Sequence, residues 1–160
     1  MTKFAYRIET RKVKEADFPY SAVQMTSPEA VAGFARSLED ADVEKFIVLY
    51  LNTKNKLIGI KINSGTIDRQ VIWPREIIKE AILSGAQSLV LIHNHPSGDP
   101  SASQEDIALT KTIIDAATLM DIRVLDHVII GEAGKYISMT ERGLMQQVTR
   151  TGQITMSLGR

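Results

Sequence analysis

Two histidines and an aspartate have the types and the spacing of a metal site. His93 and His95 follow the apolar run at 89–92, whose β-branched members predict a buried strand that Pro96 terminates. Because side chains alternate along a strand, both imidazoles are expected to point to one side of a sheet. Asp106 stands in the first turn of the next predicted helix, within reach if the loop folds back. A His, His, Asp set suits zinc with one position left for water.

Asp106 also has a purely structural explanation. The stretch from Ser103 to Asp106 matches an acidic variant of the capping box, with Ser103 as the N-cap and Asp106 at the third helical position. The two roles are compatible, since one carboxylate oxygen can cap the helix while the other binds a metal. Spacing alone therefore leaves both interpretations open.

The elements that must position these residues alternate along the chain. Capping residues and first-turn prolines predict helices that begin at Ser27, Pro74 and Ser103 and end near Ala41, Gly85 and Met120, with a short helix from Thr140. Periodicity and turn residues predict strands at 6–13, 46–51, 57–62, 89–92, 124–131 and 136–139. This order predicts a mixed α/β (α+β) fold in which helices pack on the faces of a mixed sheet.

The helix that begins at Ser103 carries an apolar stripe at helical spacing. Its members are Leu109, Ile113, Ala116 and Met120. Asp106 begins the same stripe, so its side chain is predicted to face the sheet, where the two histidines end their strand.

Length and composition indicate one globular domain. The chain has 160 residues, 44% of them hydrophobic and 24% charged, which suffices for a single core. We predict one domain over 1–148, with the motif-bearing part at 44–143 and a flexible tail at 149–160. The absence of cysteine leaves only histidine and carboxylate to hold zinc and makes the cytoplasm the expected location. No apolar run approaches the roughly 18 residues of a membrane span, so no membrane association is expected.

The charge balance bears on possible partners. The formal net charge is zero, which provides no general attraction to DNA. Residues 3–14 hold five basic residues against one acid, and this segment could contact phosphate. Lysine and arginine on an edge strand, however, also serve to prevent aggregation. The N-terminal arm and the tail could mediate contact between two copies, so the sequence is compatible with a homodimer.

The wider pattern resembles a known metalloprotease motif. His-x-His-Pro at 93–96, followed by Ser103 and Asp106, is similar to the JAMM (MPN-plus, JAB) motif. The RadC branch of that superfamily is closer still. The stretches that carry this resemblance are His93-Asn94-His95-Pro96-Ser97-Gly98-Asp99-Pro100, Trp73-Pro74-Arg75-Glu76-Ile77 and Leu125-Asp126-His127-Val128-Ile129-Ile130-Gly131. The resemblance implies a JAMM/JAB deaminase-like domain, a three-layer α-β-α sandwich around a mixed sheet.

The resemblance also implies roles for residues beside the metal set. JAMM proteins use a glutamate at the start of the first core strand as general base, which matches Glu44; Glu76, at the start of the helix before the histidine strand, is the alternative. Ser103 matches the serine that stabilises the oxyanion. Both glutamates also have a structural explanation. Glu44 could be a solvated charge at the end of a strand. The carboxylate of Glu76 lies in the first turn of a helix, where the helix dipole stabilises a negative charge by about 0.3–1 kcal/mol. Asp126-His127 matches a RadC signature, but a histidine opening an apolar strand is more often a hydrogen-bonded core residue than a ligand.

Three functions follow from these patterns. The most direct is a zinc-dependent metallohydrolase, a metallopeptidase or isopeptidase that uses a metal-activated water. The RadC resemblance also implies a DNA repair or mobile-element accessory role, with this chain as the JAB domain alone. The third is a non-catalytic binding module in which the metal only staples the loop.

Overall fold

Helices and strands alternate along the chain much as their local signals predict. The computed structural model describes residues 24–36, 41, 43–64 and 72–145. Its elements are α1 (Pro28–Phe34), β1 (Lys45–Leu51), β2 (Leu57–Ser64), α2 (Pro74–Ser84), β3 (Ser88–Asn94), α3 (Gln104–Thr118), β4 (Arg123–Ile130) and β5 (Tyr136–Ser138). The strand predicted at 6–13 and the tail predicted at 149–160 lie outside the described residues.

The strands form one mixed sheet with the histidine strand at its centre. The order is β2-β1-β3-β4-β5. β1 runs antiparallel to β2 and β3, β3 runs parallel to β4, and β5 returns antiparallel to β4. All residues of β3 are buried, as expected for a strand covered on both faces. The register places His93 between Phe46 of β1 and Ile129 of β4.

Helices cover both faces of this sheet. On one face, α2 and α3 pack on alternate residues of the strands, including Phe46, Val48, Leu89 and Leu91. On the other face, α1 packs on the intervening residues, which include Ile47, Leu49, Val90, Ile92 and Val128. The predicted mixed fold with an α-β-α arrangement is therefore confirmed. None of the helices in the described ranges has the length and apolar character needed to cross a bilayer.

Two helix predictions were wrong in detail. α1 ends at Phe34 instead of near Ala41, because the backbone of Ala35 leaves the helical region with φ −92° and ψ 9°. Leu109, Ile113 and Ala116 of the predicted stripe pack on the core, and the buried residues of α3 are Asp106, Thr110, Ile113, Ile114 and Ala117. Met120 does not belong to this stripe, since it follows the end of α3 and is 53% exposed.

The helix predicted from Thr140 is also displaced. Residues 139–143 form turns, and helical backbone begins at Leu144. The backbone N–H of Thr140 donates to the Asp126 carboxylate at 3.0 Å, and that of Glu141 donates to Ser138 Oγ at 3.1 Å. These side chains hold the chain in a turn and delay the helix.

Candidate metal centre

The side chains of His93, His95 and Asp106 converge where β3 ends. His93 Nε2 lies 2.8 Å from His95 Nε2 and 3.1 Å from Asp106 Oδ1. His95 Nε2 lies 3.3 Å from Asp106 Oδ2. Donor atoms at these separations can all contact one ion at the roughly 2.0–2.2 Å typical of zinc. The structure thus brings the three predicted residues together.

A tight loop after β3 sets the position of His95. The backbone N–H of His95 donates to the Ile130 carbonyl at 3.0 Å, which extends the contact with β4. The loop then turns back, because Gly98 N–H donates to the His95 carbonyl at 2.9 Å and Gly98 has φ +80°. This turn places the Asp99 carbonyl 2.7 Å from His95 Nδ1. That nitrogen therefore donates its hydrogen, and Nε2 faces the cluster.

Asp106 both caps α3 and faces the histidines, as the sequence allowed. Its Oδ2 accepts hydrogen bonds from Ser103 N–H at 2.8 Å and Ser103 Oγ at 2.7 Å, while Ser103 Oγ accepts from Asp106 N–H at 3.1 Å. Both halves of a capping box are present. The second oxygen, Oδ1, is the one 3.1 Å from His93 Nε2. Oδ1 is therefore outside the capping hydrogen bonds and faces His93, while Oδ2 both accepts those hydrogen bonds and lies 3.3 Å from His95 Nε2.

The electrostatics of the cluster favour an ionised carboxylate. Burial alone would raise the pKa of Asp106, but the adjacent imidazoles of His93 and His95 hold that pKa far below its ordinary value. The hydrogen bond with Asp106 raises the pKa of His95, against an opposing effect of burial. A bound cation would replace the protons that these groups share.

Glu44, the residue just before β1, reaches the same place. One donor atom each from Glu44, His93 and His95 lies within 4.8 Å of the others, so these side chains also form a possible metal-binding group. Glu76, the alternative base, has different neighbours. It pairs with Lys79 and, at 3.5 Å, with Arg75 on the surface of α2.

Asn94 explains how the backbone at Glu44 is held. Its Oδ1 accepts a hydrogen bond from Lys45 N–H at 2.8 Å, and its Nδ2 donates to the Val43 carbonyl at 3.3 Å. Asn94 is only 2% exposed and lies between the two histidines in the sequence. One amide therefore binds the backbone on both sides of Glu44.

Removing this amide is expected to loosen the start of β1. In Asn94→Ala the Lys45 amide loses its acceptor, so its hydrogen exchange should become roughly 2- to 12-fold faster, from a hydrogen bond of about 0.5–1.5 kcal/mol. Asn94→Asp keeps an acceptor for Lys45 N–H and should protect that amide. Residue-resolved exchange by NMR measures both. Equal protection of Lys45 in Asn94→Ala and the native chain would show that Asn94 does not hold this segment.

His127 and Thr110 lie directly behind the cluster. The His127 ring is fully buried, with Nε2 2.8 Å from His93 Nδ1 and Nδ1 2.6 Å from Thr110 Oγ1. Burial lowers the pKa of His127 well below its ordinary value, and the nearby His93 adds to this effect. His127 is thus the hydrogen-bonded core residue that was predicted. Thr110 was missed, although it lies four residues after Asp106 on the same helix face.

Comparison with known proteins identifies a family model and several relatives that match most of this chain. The family model described as RadC-like JAB domain matches residues 25–144. A UPF0758 protein of Pelobacter propionicus is 40% identical over 143 residues, which is 88% of this chain and 59% of the relative. A UPF0758 protein of Desulforamulus reducens is 48% identical over 120 residues, which is 74% of this chain and 52% of the relative. The chain spans about half the length of the curated relatives it matches.

Proposed function

The chain belongs to the RadC-like JAB domain family, and on that premise we propose that it is a zinc-dependent hydrolase of amide bonds, with a peptide or isopeptide substrate. One observation carries this proposal. One imidazole from β3, one from the loop that follows it and one carboxylate from α3 meet within 3.3 Å of one another at the end of the central strand.

The chemistry of the donors favours zinc. Two imidazole nitrogens and a carboxylate oxygen match the mixed nitrogen and oxygen ligands of catalytic zinc, whereas calcium and magnesium prefer oxygen alone. His93, His95 and Asp106 would hold the ion. A zinc ion bound there supplies a Lewis acid and lowers the pKa of a water molecule to about 7.

Glu44 is proposed as the general base. Its carboxylate would accept the proton of the attacking water and deliver it to the nitrogen of the leaving amine. Its proximity to both histidines supports this role. Glu76 is the weaker candidate, because the group of donor atoms around His93 and His95 includes Glu44, whereas Glu76 pairs with Lys79 on α2.

Ser103 is proposed to stabilise the oxyanion of the tetrahedral intermediate. Its hydroxyl hydrogen points to Asp106 Oδ2 at 2.7 Å and would have to rotate toward the substrate. The backbone N–H of Ser103 would still bind the same oxygen at 2.8 Å, so Asp106 would keep its position during this rotation.

A glutamate variant tests the hydrolase proposal. We expect the zinc-loaded chain to cleave members of a peptide and isopeptide mixture and to incorporate one oxygen of ¹⁸O-labelled water into each new carboxylate. Glu44→Gln should retain zinc and lose activity by roughly 10²- to 10⁴-fold, because the amide cannot accept the proton. Mass spectrometry of the products measures both effects.

The matched control is Glu76→Gln, which should retain both zinc and activity. Full activity in Glu44→Gln would refute the role of that residue as base. A native chain that binds zinc but cleaves nothing would refute the hydrolase proposal and favour the metal-stapled module.

A further inference from the structure

His127 has no part in the proposed hydrolysis, yet it is fully buried and in direct contact with His93. We infer that His127 is a positioning residue that determines which nitrogen of His93 carries the hydrogen, through a directional chain of hydrogen bonds that starts at the Asp106 backbone carbonyl. The inference rests on the proposed function in one respect: His93 is taken to bind the metal through Nε2.

The donor and acceptor roles in this series of hydrogen bonds are set at Thr110. Its hydroxyl has one hydrogen, and Oγ1 lies 2.6 Å from the Asp106 carbonyl oxygen, which can only accept. Because Thr110 donates that hydrogen to the Asp106 carbonyl, Oγ1 can only accept a hydrogen bond from His127 Nδ1, which lies 2.6 Å away. Thr110 is fully buried, and its remaining contact is the weak acceptor Met139 Sδ at 3.7 Å. Nδ1 of His127 must therefore be the protonated nitrogen.

The second step transfers this constraint to His93. A neutral His127 with its hydrogen on Nδ1 has a lone pair on Nε2, which lies 2.8 Å from His93 Nδ1. His93 Nδ1 must then be the donor. The lone pair of neutral His93 is consequently on Nε2, the atom that lies 3.1 Å from Asp106 Oδ1. This is the form in which histidine binds a metal through Nε2.

The environment of His93 Nδ1 suits a neutral acceptor such as His127. Phe46 packs against both rings, with its centroid 6.4 Å from that of His93 and 5.7 Å from that of His127. A carboxylate in place of His127 would add a charge at a buried position, whereas a neutral imidazole accepts the hydrogen bond without one. His95 also carries its hydrogen on Nδ1, but there the acceptor is the Asp99 carbonyl.

Two pairs of variants and one spectrum test the inference. In ¹⁵N-labelled metal-free protein, NMR should show His127 protonated at Nδ1 and unprotonated at Nε2. In Zn²⁺ competition with a chelator, His127→Phe should bind roughly 10- to 100-fold more weakly than the native chain. His127→Gln should recover most of that loss, because its amide oxygen can accept from His93. Thr110→Val should also weaken zinc binding, and Thr110→Ser should restore it.

The outcomes separate this inference from the proposed function. A hydrogen on Nε2 of His127, or equal zinc affinity in the Phe and Gln variants, would overturn the inference. If the native chain binds no zinc, the proposed function fails, while the spectrum still decides the direction of the chain. If thermal melts show that His127→Phe is unfolded, the Thr110→Val and Thr110→Ser variants test the same series of hydrogen bonds at the contact between Thr110 and His127.

Discussion

Asp106→Asn is expected to abolish stoichiometric zinc binding while the fold is retained. The amide oxygen of asparagine can still accept the hydrogen bond from Ser103 N–H, so most of the cap on α3 persists. The substitution removes the negative charge that would neutralise the proposed ion and that faces both imidazoles. We expect affinity to fall by at least about 100-fold, beyond the usual effect of removing a residue that only supports a ligand. Equilibrium dialysis with elemental analysis measures the bound zinc.

Two further variants separate zinc binding from capping. Asp106→Ala should lose zinc and also about 0.5–1.5 kcal/mol of stability, because the Ser103 N–H loses its acceptor. His95→Ala should lose zinc with the cap intact, since the Ser103–Asp106 hydrogen bonds do not involve His95. Native zinc affinity in Asp106→Asn would exclude Asp106 as a ligand.

Gly131→Ala is expected to disrupt the loop that carries His95. A Cβ at this position would lie 2.4 Å from the Gly98 carbonyl oxygen and 2.8 Å from Pro100 Cδ. Neither contact is at the end of a flexible side chain, so the loop must move. Overpacking of this kind costs about 1–3 kcal/mol. Because the loop carbonyl of Asp99 orients the His95 ring, we expect zinc affinity to fall roughly 10-fold as well. Chemical denaturation and zinc competition measure the two effects.

Gly33→Ala is the matched control for this substitution. Gly33 lies within α1, and a Cβ there would meet nothing within 4 Å. Alanine should therefore stabilise the protein by roughly 0.5–1 kcal/mol and leave zinc binding unchanged. Unchanged stability and zinc affinity in Gly131→Ala would mean that the loop does not pack on Gly131 as described.

The features that could be predicted from the sequence are those that depend on neighbouring residues. α2 begins at Pro74 and ends before Gly85 as predicted, because a first-turn proline and a left-handed C-cap are local signals. The Ser103 cap is local in the same way. The approach of His93 to Asp106 followed from strand alternation and from the inward face of α3.

The features that were missed depend on which strands lie side by side. The contact of His127 with His93 requires β4 to pair in parallel with β3, with His127 opposite Leu91. The Asn94 hydrogen bonds require β1 to lie on the other side of β3. Neither pairing can be deduced from residue types alone, since strand order is set by the packing of the whole sheet. Thr110 was missed because a polar residue on a buried stripe breaks the apolar pattern.

Anomalous scattering at the zinc edge, from crystals of the zinc-loaded chain, tests the metal site most directly. We predict one strong peak in contact with Nε2 of His93, Nε2 of His95 and a carboxylate oxygen of Asp106, at about 2.0–2.2 Å from each. The Glu44 carboxylate should lie nearby without contacting the ion. A map with no peak at this position, or with an ion bound by Glu44 while Asp106 only caps α3, would contradict this assignment.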